Sequence, residues 1–134
     1  NALLEANRRL LQKVTPVSLG RIINSQVGGG LHLEKESLIE NSKINGPVYI
    51  GTGCLIKDST IGPWVTVGDG GTVTGSTLKN SILFSGVRME NYALHQSIIG
   101  HRALLAGKHR SDQTAALPPQ PFSRLLLGDD GVVS

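Results

Sequence analysis

Residues 39–56 read Ile39-Glu-Asn-Ser-Lys-Ile44-Asn-Gly-Pro-Val-Tyr-Ile50-Gly-Thr-Gly-Cys-Leu-Ile56, with isoleucine at each numbered position. The steps between these isoleucines are five, six and six residues, so the pattern returns after 17 residues. The same spacing extends in both directions, with an aliphatic residue or Met at Ile22, Val27, Leu33, Ile61, Val67, Val73, Leu78, Leu83, Met89, Leu94, Ile99 and Leu105. A fixed internal period of this kind predicts a repeat protein, in which each repeat packs on its neighbours.

Two further markers follow the same register. Where the step is five, the fourth residue is nearly always serine, at Ser25, Ser42, Ser59, Ser76, Ser81 and Ser97, with Tyr92 as the exception. The residue before it is mostly Asn, Asp or Gly, which tolerate unusual backbone angles. Where the step is six, the second residue is often glycine, at Gly28, Gly51, Gly62, Gly68 and Gly100. We expect the glycines at crowded corners and each serine to hydrogen-bond to its equivalents in the coils above and below.

The spacing dictates an architecture. A side of five or six residues is one short strand and a corner, and three such sides close a triangular coil. Aliphatic residues at the same place in successive coils then stack about 4.8 Å apart, which puts Ile39, Ile56 and Val73 in one inward row. The sequence therefore predicts an all-β parallel β-helix of about five coils from Ile22 to Leu104.

Composition narrows the class of protein. Aromatic residues are only 4% of the chain, whereas glycine occurs 17 times, which fits many short strands rather than a conventional aromatic core. The net charge of +3 is scattered, with no basic stripe interleaved with aromatics, so we expect no nucleic-acid partner. The lone Cys54 excludes an internal disulfide framework and fits a reducing compartment. With no run of about 18 apolar residues and no signal peptide at its start, the chain is expected to be soluble, cytoplasmic and without a membrane partner.

The two ends depart from the repeat. Residues 2–14 predict an amphipathic helix with Leu3, Leu4, Leu10, Leu11 and Val14 on one face and Asn7 at its margin, which we expect to cap the first coil. Residues 108–123 predict an irregular loop. Residues 124–133 predict two strands around the tight turn Gly128-Asp-Asp-Gly131, which cover the open end of the solenoid or pair with a neighbouring chain. The predicted segments are a linking helix at 1–15, the β-helix at 16–107 and the C-terminal loop and closing strands at 108–134.

The six-residue steps resemble the hexapeptide repeat of left-handed β-helix proteins. Ile50-Gly-Thr-Gly-Cys-Leu and Ile99-Gly-His-Arg-Ala-Leu are clean copies of it. Left-handedness is implied by this resemblance alone and is an exception to the usual right-handed crossover.

A closer resemblance covers nearly all of the chain. Residues 3–11, Leu-Leu-Glu-Ala-Asn-Arg-Arg-Leu-Leu, are similar to the helix that links the two domains of long-form glucose-1-phosphate thymidylyltransferases. Residues 39–51, 56–63 and 78–83 are similar to that family's coils, and 125–130, Leu-Leu-Leu-Gly-Asp-Asp, to its closing strand. This resemblance implies the C-terminal β-helix domain of a sugar-1-phosphate nucleotidylyltransferase.

What the resemblance implies for function is assembly rather than catalysis. The family's nucleotide-binding glycine-rich signature and metal-binding aspartates belong to an N-terminal domain that this chain does not contain, so no catalytic, cofactor-binding or metal residues are assigned here. The parent reaction would join dTTP to a sugar 1-phosphate with Mg²⁺ and release pyrophosphate. The expected partners are the parent's own catalytic domain and further copies of the chain in a homo-oligomer.

One alternative is that the chain is a purely structural β-helix scaffold. Two others involve the histidines. Hexapeptide acyltransferases use a histidine base beside a coenzyme A groove, and His101 or His109, with Lys108 nearby, would be the candidates here for acetyl-CoA chemistry. The surrounding residues do not match the histidine loops of sugar-nucleotide acetyltransferases. A three-histidine zinc site, as in β-helical carbonic anhydrases, would use His95, His101 and His109, but their spacing differs from that family's.

The remaining candidates have structural interpretations. Residues 68–76, Gly-Asp-Gly-Gly-Thr-Val-Thr-Gly-Ser, lack the lysine of a phosphate loop and have glycines where the repeat requires them. Trp64 and Tyr49 lie outside the inward register. Trp64 follows Pro47 by 17 residues, so the two should stack on one outer surface. Trp64 is there either a subunit or domain contact or a partly covered surface residue. Cys54 occupies an inward small-residue position and is expected to be an inert core thiol. Solvated turn positions are predicted for Asp112, Asp129 and Asp130.

Overall fold

The computed structural model describes residues 2–107 and 126–133. One helix, α1 (Ala2–Gln12), precedes short strands that form three parallel sheets. Sheet A contains β1 (Val17–Ser18), β4 (Leu31–Leu33), β7 (Val48–Ile50), β10 (Val65–Val67), β13 (Ser81–Leu83), β16 (Ile98–Ile99) and β18 (Leu126–Leu127). Sheet B contains β2 (Arg21–Ile23), β5 (Leu38–Glu40), β8 (Leu55–Lys57), β11 (Thr72–Thr74), β14 (Arg88–Glu90), β17 (Leu104–Ala106) and β19 (Val132–Val133). Sheet C contains β3 (Gln26–Gly28), β6 (Lys43–Asn45), β9 (Thr60–Ile61), β12 (Thr77–Lys79) and β15 (Ala93–His95).

From β1 to β17, successive strands belong to sheets A, B and C in turn, so three strands complete one coil of a parallel β-solenoid. The register confirms the 17-residue period, because Ile39 pairs with Ile56, and Ile56 pairs with Val73. Residues at these inward positions are fully buried in the interior coils, and they form one continuous hydrophobic core along the solenoid axis. The predicted architecture of about five stacked coils is confirmed.

A ladder of serines ties the coils together at the corner between sheets B and C. The hydroxyl of Ser59 donates to the carbonyl of Lys57 at 2.8 Å and accepts the backbone N–H of Ser76 at 3.1 Å. Ser25, Ser42 and Ser76 make the same two bonds. We expected each serine to bond to its equivalents in adjacent coils, and it does, but its partner is the main-chain amide rather than the hydroxyl.

Left-handed backbone angles precede the serines of the ladder. Asn24, Asn41 and Asp58 have φ values of 49°, 49° and 52°, and Gly75 has 58°. Short polar side chains and glycine are the residues that accept this conformation at least cost. The sequence pattern of Asn, Asp or Gly before Ser is therefore a corner that turns the chain from sheet B into sheet C.

The C-terminal strands extend the solenoid instead of forming a hairpin. We expected β18 and β19 to flank a tight turn as a strand pair, but β18 pairs in parallel with β16, and β19 pairs in parallel with β17. Leu127 and Val133 pack against the core, so the strands do cover the C-terminal end of the solenoid. The predicted loop at 108–123 lies outside the described residues.

The prediction that helix α1 caps the first coil is wrong. It lies on the outer face of sheet A, where Leu4 packs with Ile82 and Ile98. The helix presents Leu4, Asn7 and Leu11 inward and leaves Leu3 and Leu10 exposed, so the expected stripe of leucines is divided between the two sides.

Within the described residues, no helix has the length and apolar character needed to cross a membrane.

Candidate functional site

The outer face of sheet A is the docking surface for α1. The outward residues in register are Val17, His32, Tyr49, Thr66, Ile82, Ile98 and Leu126. Ile82 and Ile98, with Phe84 beside them, form the apolar floor beneath Leu4. The period alone could have identified this row, because two adjacent outward positions in consecutive coils are isoleucine.

A buried polar contact fixes the helix on this face. The hydroxyl of Thr66 donates to Oδ1 of Asn7 at 2.5 Å, and Asn7 is buried rather than at the margin of the helix. The guanidinium of Arg8 lies 5.0 Å from the centre of the Trp64 ring, within cation–π range. One apolar cluster, one hydrogen bond and one cation–π contact therefore position α1 on sheet A.

Trp64 is partly covered, as one of its two interpretations predicted. Its N–H donates to the carbonyl of Pro47 at 2.9 Å, which confirms that the two residues are neighbours in adjacent coils. Since Arg8 covers the ring, Trp64 belongs to the contact between helix and solenoid.

A second cluster on sheet A went unrecognised in the sequence. The rings of His32 and Tyr49 stack with their centres 4.8 Å apart and an interplanar angle of 17°. His32 contacts the carbonyl of Thr15 through Nδ1 at 3.2 Å and the carboxylate of Glu34 through Nε2 at 2.5 Å. Burial and the nearby charge of Glu34 raise the pKa of Tyr49. The 17-residue interval between the two rings was the available signal, and the cluster ties the connection after α1 to the first coils.

Sheet C has a polar outer face and a shallow groove beside it. The groove is lined by Asn24, Gln26, Asn41, Ser42, Lys43, Asp58, Ser59 and Thr60. The amide of Asn24 donates to Oδ1 of Asn41 at 2.6 Å, which continues the ladder of corner residues at the surface. Among the lining residues, Asn24, Asn41, Ser42 and Ser59 form side-chain hydrogen bonds within or between coil corners.

His101, the candidate base of the acyltransferase alternative, lies at the corner after β16. The centre of its ring is 5.0 Å from that of the Phe84 ring. Its backbone N–H donates to Oδ1 of Asp129 at 2.7 Å, and its backbone carbonyl accepts the N–H of Asp130. The main chain of His101 thus holds the C-terminal turn in place. The other candidate, His109, and its neighbour Lys108 lie outside the described residues.

The histidines considered for zinc do not converge in the described part of the chain. His95 lies on β15 of sheet C, whereas His101 lies at the corner between sheets A and B. Among residues 2–107 and 126–133, no group of three His, Cys, Asp or Glu side chains could hold a metal ion.

Asp129 and Asp130 are at an exposed turn as predicted, but they have partners. Asp130 accepts two hydrogen bonds from Arg102, at 2.9 and 3.0 Å, and this ion pair lowers the pKa of the Asp130 carboxyl. Asp129 accepts the N–H of His101. Both aspartates therefore attach the last turn to the preceding coil, and Asp112 lies outside the described residues.

The glycine-rich segment 68–76 is structural. The N–H groups of Gly68, Gly70 and Gly75 donate to the carbonyls of Leu83, Thr52 and Lys57 in adjacent coils. Amides committed to these bonds cannot form a phosphate-binding cradle.

Cys54 is a buried free thiol, as expected from its inward position. Its Sγ lies 3.2 Å from the carbonyl of Gly68, and Ser37 accepts its N–H at 2.9 Å. Burial raises the pKa of the Cys54 thiol, which disfavours the reactive thiolate.

No protein-family model matches this sequence, and no curated protein matches it with statistical significance.

Proposed function

We propose that this chain is the assembly domain of a sugar-1-phosphate nucleotidylyltransferase, with glucose-1-phosphate thymidylyltransferase as the specific activity of the parent protein. Its role is to hold subunits together and to position the catalytic domain. The proposal places the protein in the cytoplasm, in keeping with the single reduced thiol of Cys54.

The observation that carries this proposal is the docking of α1 on sheet A. The helix that resembles the family's interdomain link is attached to the solenoid by Leu4, by the bond between Asn7 and Thr66, and by Arg8 over Trp64. Such an attachment gives a domain joined through α1 a defined position relative to the coils. A positioning role requires this rigidity.

The solenoid itself supports a structural role. Its core is filled with aliphatic side chains, its ladder serines and the glycine amides of segment 68–76 are bonded to adjacent coils, and its thiol is buried. Groups that already have internal partners contribute to stability rather than to binding or catalysis.

The test begins with the gene that encodes this chain, which we expect to encode an upstream nucleotidyltransferase domain. The full-length product should release pyrophosphate from dTTP and glucose 1-phosphate when Mg²⁺ is present, and residues 1–134 alone should not. A gene without such a domain would exclude the proposal.

Acyl transfer is the other outcome to be measured. If residues 1–134 consume acetyl-CoA with a sugar-nucleotide amine or hydroxyl acceptor, and His101→Ala or His109→Ala abolishes that turnover, the chain is a hexapeptide acyltransferase instead.

A further inference from the structure

Asn7 places a buried amide on the otherwise apolar inner face of α1. It lies between Leu4 and Leu11 on that face and is only 7% exposed. Its Oδ1 accepts the hydrogen bond from Thr66, but its Nδ2 has no hydrogen-bond partner among the described residues. A buried donor without an acceptor opposes folding, so an apolar side chain would attach the helix at lower cost. Attachment alone therefore does not explain an asparagine at this position.

Helix α1 follows the outward row of sheet A from later coils to earlier ones. Leu4 packs with Ile82 and Ile98, whereas Asn7 contacts Thr66, which is one coil before Ile82. The step from Leu4 to Asn7 rises about 4.5 Å in a helix, which nearly equals the spacing of about 4.8 Å between coils. Because the two repeats match, a shift of α1 by one coil would place each inward side chain over the next residue of the row.

The apolar contacts do not exclude a shift toward the C-terminal end of the solenoid. Beyond Thr66 the row continues with Ile82, Ile98 and Leu126. After a shift of one coil, Leu4 would pack on Ile98 and Leu126, and Leu126 is 78% exposed in the observed placement. Covering this leucine is favourable, so hydrophobic burial does not select the observed placement over the shifted one. A shift in the opposite direction would put Leu4 on Thr66, which apolar packing opposes.

The connection between α1 and β1 is able to supply the length for this shift. An extended residue spans about 3.3 Å and a helical residue 1.5 Å, so unwinding about three residues at the end of α1 lengthens the connection by about 5 Å. The bonds given up include those that Lys13 and Val14 donate to the last helical turn, at 3.1 and 3.2 Å. The shifted placement is therefore within reach of the chain.

Asn7 and Thr66 distinguish the two placements. In the observed placement the amide oxygen of Asn7 has a donor, at 2.5 Å. In the shifted placement Asn7 would face Ile82, and both ends of its amide would be buried against apolar atoms, which is unfavourable. The contact of Arg8 with Trp64 adds to this preference, but a cation–π contact with a partly exposed ring is weak.

We propose that the pair of Asn7 and Thr66 is a register lock, which selects one axial position of α1 on sheet A at a cost in stability. A buried asparagine fixes the register of coiled coils in the same way. The lock concerns this chain alone, whereas its purpose rests on the positioning role proposed above. A slip of one coil would displace a domain joined through α1 by about 4.8 Å, and the lock prevents it.

Pulsed electron paramagnetic resonance on the 134-residue chain tests the lock. Spin labels are attached to two exposed positions, by Glu5→Cys on α1 and Gln26→Cys on the first coil, in a Cys54→Ala background that removes the native thiol. With Asn7 in place we expect a single distance between the labels. Asn7→Leu should add a second distance that is longer by up to about 4.8 Å. Its urea midpoint should equal or exceed that of the parent, because the unbonded Nδ2 is gone.

Thr66 provides a matched pair of variants. Thr66→Val keeps the shape of the side chain but removes the hydroxyl, so it should also give two distances. Its urea midpoint should fall, because Asn7 then stays buried without a partner. Thr66→Ser keeps the hydroxyl and should give the single distance of the parent. Circular dichroism of each variant verifies that it is folded.

Three results would overturn the lock. A single unchanged distance in both Asn7→Leu and Thr66→Val would mean that the apolar cluster fixes the register without the pair. A lower urea midpoint for Asn7→Leu would mean that the asparagine only stabilises the contact. Rapid amide exchange throughout α1 in Asn7→Leu would mean that the helix detaches rather than shifts. Each of these leaves the assembly role standing, whereas a gene without an upstream nucleotidyltransferase domain removes that role and leaves the lock itself intact.

Discussion

The first coil and the interior coils carry the same sequence pattern but bury it to different degrees. Ile22 and Val27 of the first coil are 37% and 41% exposed, whereas Ile39 and Ile44, one coil further on, are fully buried. Leu19 and Ile23 of the first coil are exposed as well. The pairs Ile22/Ile39 and Val27/Ile44 are direct neighbours in their sheets, so their local backbone environments match.

The difference shows that the inward side chains of a coil are buried by the adjacent coils and not by the other residues of the same coil. An inward side chain in a solenoid needs a coil on each side, and the first described coil has one on only one side. Stability should therefore rise from the first coil toward the interior, even where the residues are alike. Substitutions at equivalent positions in the two regions test this gradient.

The largest effect is expected from truncating the core row of sheet B. Ile56→Ala should lower the free energy of unfolding by about 2–5 kcal/mol, because it leaves a cavity between two coils. The equivalent change in the first coil, Ile22→Ala, should cost about 1 kcal/mol or less, since that side chain already meets water. Urea unfolding followed by circular dichroism measures both, and equal losses would contradict the gradient.

Glycine-to-alanine substitutions provide the second test. A Cβ on Gly62 would lie 1.8 Å from the carbonyl oxygen of Asn45, and this glycine has a φ of 102°. We expect Gly62→Ala to destabilise the protein by about 2–4 kcal/mol. Gly28 occupies the same position two coils earlier, where a Cβ would meet nothing within 4 Å, so Gly28→Ala should change stability by about 1 kcal/mol at most. Thermal melts of the two variants compare them, and a more damaging Gly28→Ala would show that the first coil is more tightly packed than described.

The serine ladder provides a third, smaller test. Ser59→Ala leaves the buried N–H of Ser76 without its acceptor, which should cost about 1–3 kcal/mol. Ser25→Ala removes the acceptor of the Ser42 N–H, but Ser25 is partly exposed and water can replace its hydroxyl, so the cost should be below about 1 kcal/mol. Amide hydrogen exchange at Ser76 and Ser42 would locate each effect, and unchanged protection at Ser76 would argue against the ladder.

The smallest perturbation is chemical labelling of the unmodified protein. The buried thiol of Cys54 should react with a thiol reagent at pH 8 orders of magnitude more slowly in the native chain than in urea, because its thiolate is disfavoured and access requires opening of the third coil. Rapid labelling would mean that fraying of the first coil extends into the interior.

The raised pKa of Cys54 also determines how the stability of the protein changes with pH. A thiol whose pKa is higher in the folded state contributes stability below its unfolded pKa, and that contribution is lost as the pH rises through the folded value. The wild type should therefore lose stability in alkaline solution more steeply than Cys54→Ala.

Much of the fold could be predicted because the contacts that define the solenoid join residues only one coil apart in the sequence. Spacings of five and six residues identify the inward rows, and Asn or Asp before Ser identifies the corners. The same pattern indicated that Trp64 and Pro47 are neighbours. Each of these conclusions needs only residues one coil apart.

The predictions that were wrong concern segments outside the 17-residue repeat. The leucines of α1 show that the helix must pack on something, but Asn7 became central only because Thr66, 59 residues later, lies beneath it. The turn at 128–131 is typical of a hairpin, but β18 and β19 do not pair with each other. They pair in parallel with β16 and β17, the last strands of the solenoid in sheets A and B. The candidate base His101 could be named from its motif, whereas its contacts with Phe84 and Asp129 depend on packing that no spacing reveals.

The serine corners have a consequence for how this domain can change in length. Ser25, Ser42, Ser59 and Ser76 each present the same acceptor to the next coil, so removal of one 17-residue unit between them would bring the hydroxyl of one serine to the amide of the serine after next. Gain or loss of whole units thus preserves the serine bonds between coils. A solenoid built on such corners can change its length in steps of about 4.8 Å while it keeps the serine bonds between coils.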